Sequence, residues 1–225
     1  MNGMKQNRCV IVSGGDYCPA DDLRPGEDYV IACDRGYTYC SRLGLKPDLL
    51  ISDFDSYTGP VDESVPVNAY ASEKDDTDTM LAVRCAIERG CDEILLCCAL
   101  GGRLDHLIAN LQALIFARKH GVRASLRSTE TEVTVLMDES RVFPRRAGWS
   151  LSVFAADGPC RGVGIRGAKY PLTDAEILPS FPIGVSNVWT EAEAEILVSE
   201  GCLLVVLSKL PEGMPKRVDG EKKSR

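Results

Sequence analysis

The sequence predicts an α/β fold, in which an N-terminal doubly wound, mostly parallel sheet is followed by a C-terminal antiparallel β-sandwich domain. In the first half, continuous apolar runs alternate with stretches of helical periodicity, which is typical of parallel strands covered by helices on both faces. From about residue 131 the apolar runs become short and alternating, with frequent Gly and Pro, which favours antiparallel strands. We place the two domains at residues 1–129 and 130–225.

Four buried strands are predicted in the first half. They cover residues 8–15, 29–34, 49–55 and 92–100, and each is an apolar run that ends in glycine, aspartate or a polar loop. Runs that are apolar throughout, rather than at every second position, indicate strands buried on both faces.

Two helices are predicted over residues 77–89 and 104–120, and a glycine follows each of them. The first places Met80, Val83 and Ile87 on one stripe. The second is expected to bury the stripe of Leu104, Leu107, Ile108, Leu111, Leu114 and Ile115.

The second half predicts short antiparallel strands at TEVTVLM (131–137), SLSVFAA (150–156) and GVGIRG (162–167). Its last apolar segment, EAEILVSEGCLLVVL (193–207), is expected to form a hairpin that turns at Ser199-Glu200-Gly201.

Composition excludes several classes of protein. The net charge of -7 and a pI of about 5.0 argue against a surface built for nucleic acid or a membrane. Ten cysteines without a CxxC motif, beside only two histidines, disfavour a zinc site. No apolar stretch approaches the roughly 20 residues that span a bilayer. We therefore expect a cytoplasmic protein whose cysteines act as small buried hydrophobes.

Acidic residues gather where the predicted strands end or the helices begin. These residues are Asp34, Asp53, Asp55, Asp75, Asp76, Asp78 and Asp105. Ligands of open α/β sheets bind beyond the carboxyl ends of the strands, and Asp53 and Asp55 are expected to face one way while Phe54 turns inward. Carboxylates crowded at one edge raise each other's pKa values. A divalent cation resolves this conflict, and oxygen ligands favour Mg²⁺ or Mn²⁺ over zinc.

Structural roles are an open alternative for these acids. Asp76 could be a helix N-cap, and Asp78 and Asp105 could complement helix dipoles. Asp53 and Asp55 could belong to a turn before Tyr57.

A phosphate-binding loop is predicted at Gly101-Gly102-Arg103, between a strand and a helix N-terminus. Arg103 can bind phosphate through two N–H groups, Lys74 can act as a point charge, and Gly14-Gly15 could form a second loop. Neither loop has a Walker A or GxGxxG pattern, and Arg103 could instead only pair with Asp105. Acids for a metal beside donors for phosphate predict a magnesium-dependent phosphoryl- or nucleotidyl-transfer enzyme.

An ordered set of motifs resembles the thiamine pyrophosphokinase family over about residues 8–209. The motifs are DRG (34–36), SDFDS (52–56), KDDTDT (74–79), GGRLDH (101–106), GAKYPL (167–172) and VSN (185–187). The resemblance implies transfer of a pyrophosphoryl group from ATP to thiamine, with thiamine diphosphate and AMP as products. It also implies a homodimer that holds thiamine between the β domain of one subunit and the α/β domain of the other.

Site residues follow from the same resemblance. It implies a magnesium site of Asp53, Asp55 and Asp78, with Asp75 close by, and a cleft also lined by Asp34, Asp76 and Asp105. Lys74, Arg103 and the Gly101-Gly102 loop would face the ATP phosphates, and Asp76 or Asp105 would orient the thiamine hydroxyl and accept its proton. Ser186 and Asn187 would lie near the thiamine pyrimidine. Trp189 could stack on the cationic ligand or be a core residue.

Three positions depart from the family's usual pattern. Ser52 stands where a glycine is usual, Arg35 replaces another glycine, and Val188-Trp189-Thr190 follows the SN motif where an acidic or polar residue is expected. Two rival functions remain open: a pyrophosphokinase of the same scaffold acting on a hydroxymethyl pterin, and a nucleotide-binding regulatory protein without catalysis.

Overall fold

The structure, a computed structural model, describes residues 8–20, 22–54, 57–69 and 76–211. Its helices are α1 (Gly36–Arg42), α2 (Asp78–Glu88) and α3 (Leu104–Lys119). Strands of the first half are β1 (Arg8–Val12), β2 (Tyr29–Cys33), β3 (Leu49–Ser52), β4 (Val67–Ala69), β5 (Glu93–Cys97) and β6 (Arg123–Arg127). Those of the second half are β7 (Thr131–Pro144), β8 (Trp149–Ala155), β9 (Cys160–Arg166), β10 (Leu172–Ile177) and β11 (Glu193–Lys209).

The first half is a parallel sheet in the order β6-β5-β1-β2-β3-β4. Helices α2 and α3 pack on one face, and α1 packs on the other. The chain goes from β1 to β2 on one side and later enters β5 on the other side of β1, so the β1–β5 boundary is the topological switch point. The predicted fold class is confirmed.

Burial of both sheet faces explains why the strands are apolar throughout. Ile11, Ile31 and Ile51 point toward α2 and α3, whereas Val10 and Leu50 point toward α1, and all five are fully buried. Each such side chain contributes roughly 1.5–3 kcal/mol relative to exposure.

The second half continues the same sheet in antiparallel fashion. β7 pairs with β6 through Leu126 and Val133, and its other edge pairs with β11 over nearly its whole length. The other edge of β11 pairs with two strands. β9 bonds to the first half of β11, and β8 bonds to its second half. These strands enclose a separate apolar core that contains Trp189 and Phe143.

The predicted hairpin at 199–201 is wrong, because β11 is one strand with a bulge. Val198 pairs with Glu139 and Cys202 with Met137, so the three residues between them oppose only Asp138. Gly201 has a φ of 109° and donates its N–H to the Asp138 carboxylate at 2.9 Å. Both halves of the segment find partners on β7, and the extra residues are accommodated without reversing the chain.

The predicted buried stripe of α3 is only partly right. The buried residues are Asn110, Ala113, Leu114 and Ala117, whereas Leu104 and Ile108 are 70% and 50% exposed. The two alanines face the core because they allow α3 to pack closely, whereas the first turns lie at the rim of the sheet. Periodicity identifies a helix but does not reveal which face meets the neighbouring layer.

All ten cysteines are free thiols, and all except the half-buried Cys85 are buried. Burial raises the pKa of Cys40 and of Cys97 to about 12 in each case. Among the helices of the described ranges, none is long and apolar enough to cross a bilayer.

Candidate active site

The carboxyl ends of four adjacent strands, β5, β1, β2 and β3, form one edge of the sheet. The loops that follow β1 and β5 are bonded together there. Gly15 donates its N–H to the carbonyl of Cys98, and Asp16 donates to that of Leu100, both at 2.8 Å. The two glycine loops predicted from sequence therefore lie side by side at the switch point.

Glycine is required in both loops. A Cβ at Gly15 would lie 2.5 Å from the carbonyl oxygen of Leu100. Because this oxygen belongs to the backbone, the clash could be removed only by moving the chain. Gly101 has a φ of 75°, and a Cβ there would collide with the carboxylate of Asp16. Asp16 is thus a further acid at this edge that the sequence analysis missed, and its place directly after Gly14-Gly15 was the available signal.

Asp34 follows β2 in a left-handed conformation, with a φ of 46°. It is buried. Its N–H bonds to the carbonyl of Ile51, and its carboxylate accepts a hydrogen bond from the hydroxyl of Ser52, both at 2.9 Å. Because Ser52 directly precedes Asp53, these bonds bring the ends of β2 and β3 together.

The expectation that Phe54 turns inward is wrong. The strand ends at Ser52, Phe54 has a φ of 61°, and its side chain is 38% exposed. Alternation of side chains holds only in extended backbone, so it does not fix how Asp53 and Asp55 are oriented. Asp55 lies outside the described residues.

Helix α2 begins at the same edge. Thr77 is its N-cap and accepts a hydrogen bond from the N–H of Met80 at 3.2 Å, so the alternative of Asp76 as N-cap is wrong. The carbonyl of Asp78 lies 3.5 Å from the Cys33 sulfur at the end of β2. The hydroxyl of Thr79 is 2.9 Å from that of Ser13, just after β1. Asp78 therefore lies close to the ends of β1 and β2.

Two of the predicted acids are ion-paired with arginines at the surface. Asp76 bonds to Arg84 at 2.7 Å. Asp105 accepts two bonds from Arg103, at 2.6 and 3.1 Å, and these side chains are 62% and 74% exposed. Arg103 holds the pKa of Asp105 below its ordinary value of 3.8. The sequence analysis expected neighbouring carboxylates to raise the pKa of Asp105. The pKa is lowered instead, because the Arg103 guanidinium bonds directly to the carboxylate.

Asn110 and Arg35 support the glycine loops, and only Arg35 had been singled out from sequence. The buried amide of Asn110 donates to the carbonyl of Ala99 at 2.8 Å. The Arg35 guanidinium donates to the carbonyls of Gly14 and Gly15 at 2.5 and 3.1 Å. A polar residue at a core-facing helix position was the signal that could have identified Asn110.

The donor set at this edge is made of oxygen atoms. The Asp34 carboxylate bonds the Ser52 hydroxyl, and Asp53 and Asp78 follow or begin elements at the same edge; carboxylate oxygens suit Mg²⁺ better than zinc. The described ranges contain no group of three or more His, Cys, Asp or Glu side chains gathered closely enough to hold a metal. Asp55, Lys74 and Asp75, which the sequence analysis assigned to this site, lie outside those ranges.

The predicted thiamine-side residues lie in the antiparallel half. Asn187 is 1% exposed, and its amide group bonds to the backbone N–H and carbonyl of Tyr170 at 2.9 and 2.8 Å. Trp189 is 6% exposed, and its indole N–H donates to the carbonyl of Phe143. Ser186 is exposed, with a φ of 57°, and its N–H bonds to the Ser152 hydroxyl. In this chain alone, the Trp189 ring is part of the core.

Two family models match the chain. The model of the thiamin pyrophosphokinase catalytic domain matches residues 20–126. The model of the thiamin pyrophosphokinase vitamin B1 binding domain matches residues 140–203. Together they cover about three quarters of the chain.

Relatives with the same description span nearly the full chain. A thiamine pyrophosphokinase of Bacillus subtilis (strain 168) is 25% identical over 214 residues, which cover 88% of this chain and 97% of the relative. The crystal structure of thiamine pyrophosphokinase from Bacillus subtilis superposes with a TM-score of 0.78 at 23% identity and covers 90% of this chain and 99% of its own. A thiamin pyrophosphokinase family protein from Enterococcus faecalis has a TM-score of 0.74 at 27% identity, with 91% and 100% covered.

Proposed function

The chain belongs to the thiamine pyrophosphokinase family, and from this membership we propose that it transfers the pyrophosphoryl group of ATP to the hydroxyl of thiamine. The thiamine oxygen attacks the β-phosphorus, and the bond from that phosphorus to the oxygen it shares with the α-phosphorus breaks. The products are thiamine diphosphate and AMP, and the hydroxyl proton is released.

One observation carries the proposal. The glycine loops after β1 and β5 are bonded side by side, and the acids after β2 and β3 lie on the same sheet edge. Phosphoryl-type transfer needs alignment and charge neutralisation more than covalent chemistry, and this edge offers backbone donors and carboxylates for those two tasks.

Asp53, Asp55 and Asp78 would hold Mg²⁺, with Asp34 and Asp75 beside them. When bound, the cation would neutralise phosphate charge and allow a polyanion to approach these acids. The carboxylate and hydroxyl oxygens of Asp34 and Ser52 in the described part of the site support this assignment.

Arg103, Lys74 and the amides of the Gly101-Gly102 loop would bind the ATP phosphates. Arg103 precedes α3, where N–H groups of the first helical turn have no partner in the helix. Its guanidinium offers five N–H donors, and its high exposure supports access to a ligand. These donors would offset charge on the oxygens around the β-phosphorus.

Asp76 and Asp105 are the candidates for orienting the thiamine hydroxyl. Each is ion-paired with an arginine, and a carboxylate can accept a hydrogen bond from a hydroxyl. We therefore propose that whichever of them contacts the hydroxyl aligns its oxygen for attack and accepts its proton as the new O–P bond forms.

On the thiamine side, Ser186 would contact the ligand, whereas Asn187 and Trp189 would support the loop that carries Ser186. The bonds of Asn187 to Tyr170 and of Trp189 to Phe143 support this division of roles. We also propose a homodimer with thiamine at the subunit boundary. The exposed Leu104 and Ile108 on α3 support a surface that a second subunit covers.

The experiment is an acceptor assay. Purified protein is incubated with ATP and Mg²⁺ and with either thiamine or a hydroxymethyl pterin, and the products are identified by mass spectrometry. We expect AMP and thiamine diphosphate with thiamine and no product with the pterin. Pyrophosphorylation of the pterin alone, or nucleotide binding without turnover of either alcohol, would contradict the proposal. Light scattering of the same sample tests the dimer.

A further inference from the structure

We propose that Ser52 is a positioning residue that connects Asp34 to the start of the Asp53–Asp55 segment and thereby presets the nucleotide site of this chain. Ser52 is the last residue of β3 and is fully buried. It stands where the resembled family usually has a glycine. A buried hydroxyl must find hydrogen-bond partners, and those of Ser52 are Asp34, which belongs to the proposed site, and Phe54, which directly follows Asp53.

The hydroxyl of Ser52 bonds in two directions. It donates to the Asp34 carboxylate at 2.9 Å and accepts from the N–H of Phe54, also at 2.9 Å. The first bond crosses from β3 to the end of β2. The second closes a tight turn over Asp53, in which a serine side chain bonds the backbone two residues later.

Both partners of Ser52 have left-handed backbones, with φ values of 46° at Asp34 and 61° at Phe54. Such conformations are unfavourable for residues other than glycine and need support from their surroundings. Removing the hydroxyl would leave a buried carboxylate oxygen and the N–H of Phe54 without this partner. We therefore expect the direction of the chain after Asp53 to become less defined, although the strand itself remains.

This inference rests on the proposed function only for the nature of the ligand, a magnesium nucleotide. The test therefore measures binding without turnover. Ser52→Ala is titrated by calorimetry with Mg²⁺ and an ATP analogue that carries a methylene group between the α- and β-phosphorus, which prevents pyrophosphoryl transfer. Ser52→Gly is titrated in parallel, in case the alanine variant does not fold.

The matched control is Ser150→Ala. Ser150 is also a buried strand serine, but its hydroxyl bonds to the carbonyl of Ser208 in the antiparallel half. Thermal unfolding of all variants is measured without ligand. A structural role alone would lower the unfolding temperature of each variant and leave the affinity of the folded protein unchanged.

We expect Ser52→Ala and Ser52→Gly to weaken binding of the magnesium analogue about five- to tenfold, which lies within the range of one net intramolecular hydrogen bond. We expect Ser150→Ala to bind as the wild type does. Wild-type affinity in the folded Ser52 variants, or an equal loss in Ser150→Ala, would overturn the inference, as would a wild type that does not bind the analogue. If thiamine is not the acceptor but the Ser52 variants bind more weakly, only the proposed function fails.

Discussion

Charged side chains are arranged differently at the two ends of the parallel sheet. At the amino end, Arg8 and Asp28 are both buried and form a two-bonded ion pair, with both N–O distances at 2.7 Å. The backbone N–H of Arg24 adds a third short bond to the same carboxylate. The charges of Arg8 and Asp28 are therefore neutralised by each other in the protein interior.

At the carboxyl end, the acids are held either by uncharged groups or by arginines at the surface. Asp34 is bonded by a hydroxyl and through its backbone, and the pairs of Asp76 and Asp105 with arginines lie at the surface. Exposed pairs are worth little and exchange partners easily, whereas a buried pair is costly to break. We infer from this difference that the amino end serves stability, whereas the carboxyl end is the proposed site for Mg²⁺ and the nucleotide.

The largest effect is expected from Asp53→Asn at the carboxyl end. Loss of a carboxylate that acts on transition-state charge should lower kcat/KM about 10³-fold, which corresponds to roughly 4 kcal/mol. The free energy of unfolding should change by about 1 kcal/mol or less, which is the typical effect of a point substitution. Steady-state kinetics and urea denaturation measure the two quantities.

The control for this variant is Asp92→Asn, an exposed acid next to the amino end of β5. We expect it to change neither activity nor stability. Near wild-type turnover of Asp53→Asn at saturating Mg²⁺ would contradict the assignment of Asp53 to the metal site.

At the amino end, Asp28→Ala should show the reverse profile. It removes the two-bonded partner of the buried Arg8 and leaves only Asp22, whose carboxylate lies 3.4 Å away, so we expect a loss of about 3–5 kcal/mol in unfolding free energy. The kcat/KM of the protein that remains folded should equal that of the wild type. The double variant Arg8→Met/Asp28→Leu should recover part of the stability, since an apolar pair needs no partner. Full stability of Asp28→Ala in urea would show that the pair is dispensable.

Asn110 is a structural residue at the carboxyl end, so we expect Asn110→Ala to affect both stability and ligand binding. We expect a loss of about 1–3 kcal/mol from the unpaired Ala99 carbonyl, together with weaker nucleotide binding because the glycine loop loses its support. Thr134→Val is the matched control, since the buried Thr134 hydroxyl also bonds a backbone carbonyl, that of Ala124 at 3.2 Å. Thr134→Val should lower the free energy of unfolding but leave the nucleotide affinity measured by calorimetry unchanged. Equal nucleotide affinities of Thr134→Val and Asn110→Ala would show that Asn110 does not support the nucleotide site.

The smallest effect concerns the pH dependence of the Arg103–Asp105 pair. The pKa of Asp105 is lowered in the folded state, so the contribution of the pair is present above the ordinary aspartate range and is lost as the pH falls through the lowered pKa. An NMR titration of the Asp105 carboxyl carbon should give a midpoint below 3.8. In Arg103→Gln the midpoint should rise, and an unchanged midpoint would show that Arg103 is not the cause.

Local pattern was enough to predict most elements of the parallel half, whereas α1, β4 and β6 were not predicted. β1, β2, β3 and β5 lie inside the predicted apolar runs, and α2 begins and ends within one residue of its prediction, because burial on two faces leaves a strong signal. The bulge at Gly201 was mistaken for a turn, since glycine beside polar residues is typical of both. Only the pairing partner, β7, distinguishes the two structures.

The candidate site could be predicted in position but not in detail. Parallel strands bring their carboxyl ends together, so the approach of Asp34 and Asp53 follows from the fold class. The bond between Ser52 and Asp34 depends on the register that pairs Cys33 with Ile51, which is set by tertiary packing. The domain boundary at 129/130 stays a prediction.

The antiparallel pairing of β6 with β7 has a mechanical consequence. Residues 128–130 form a tight turn in which the Ser128 N–H bonds the Thr131 carbonyl at 2.8 Å, and β7 then runs directly into the ladder with β11. A hinge motion at this point would have to break the backbone hydrogen bonds between β6 and β7. The two halves should therefore melt together in a single calorimetric peak, and any closing movement around the nucleotide must come from the rim loops rather than from one lobe rotating against the other.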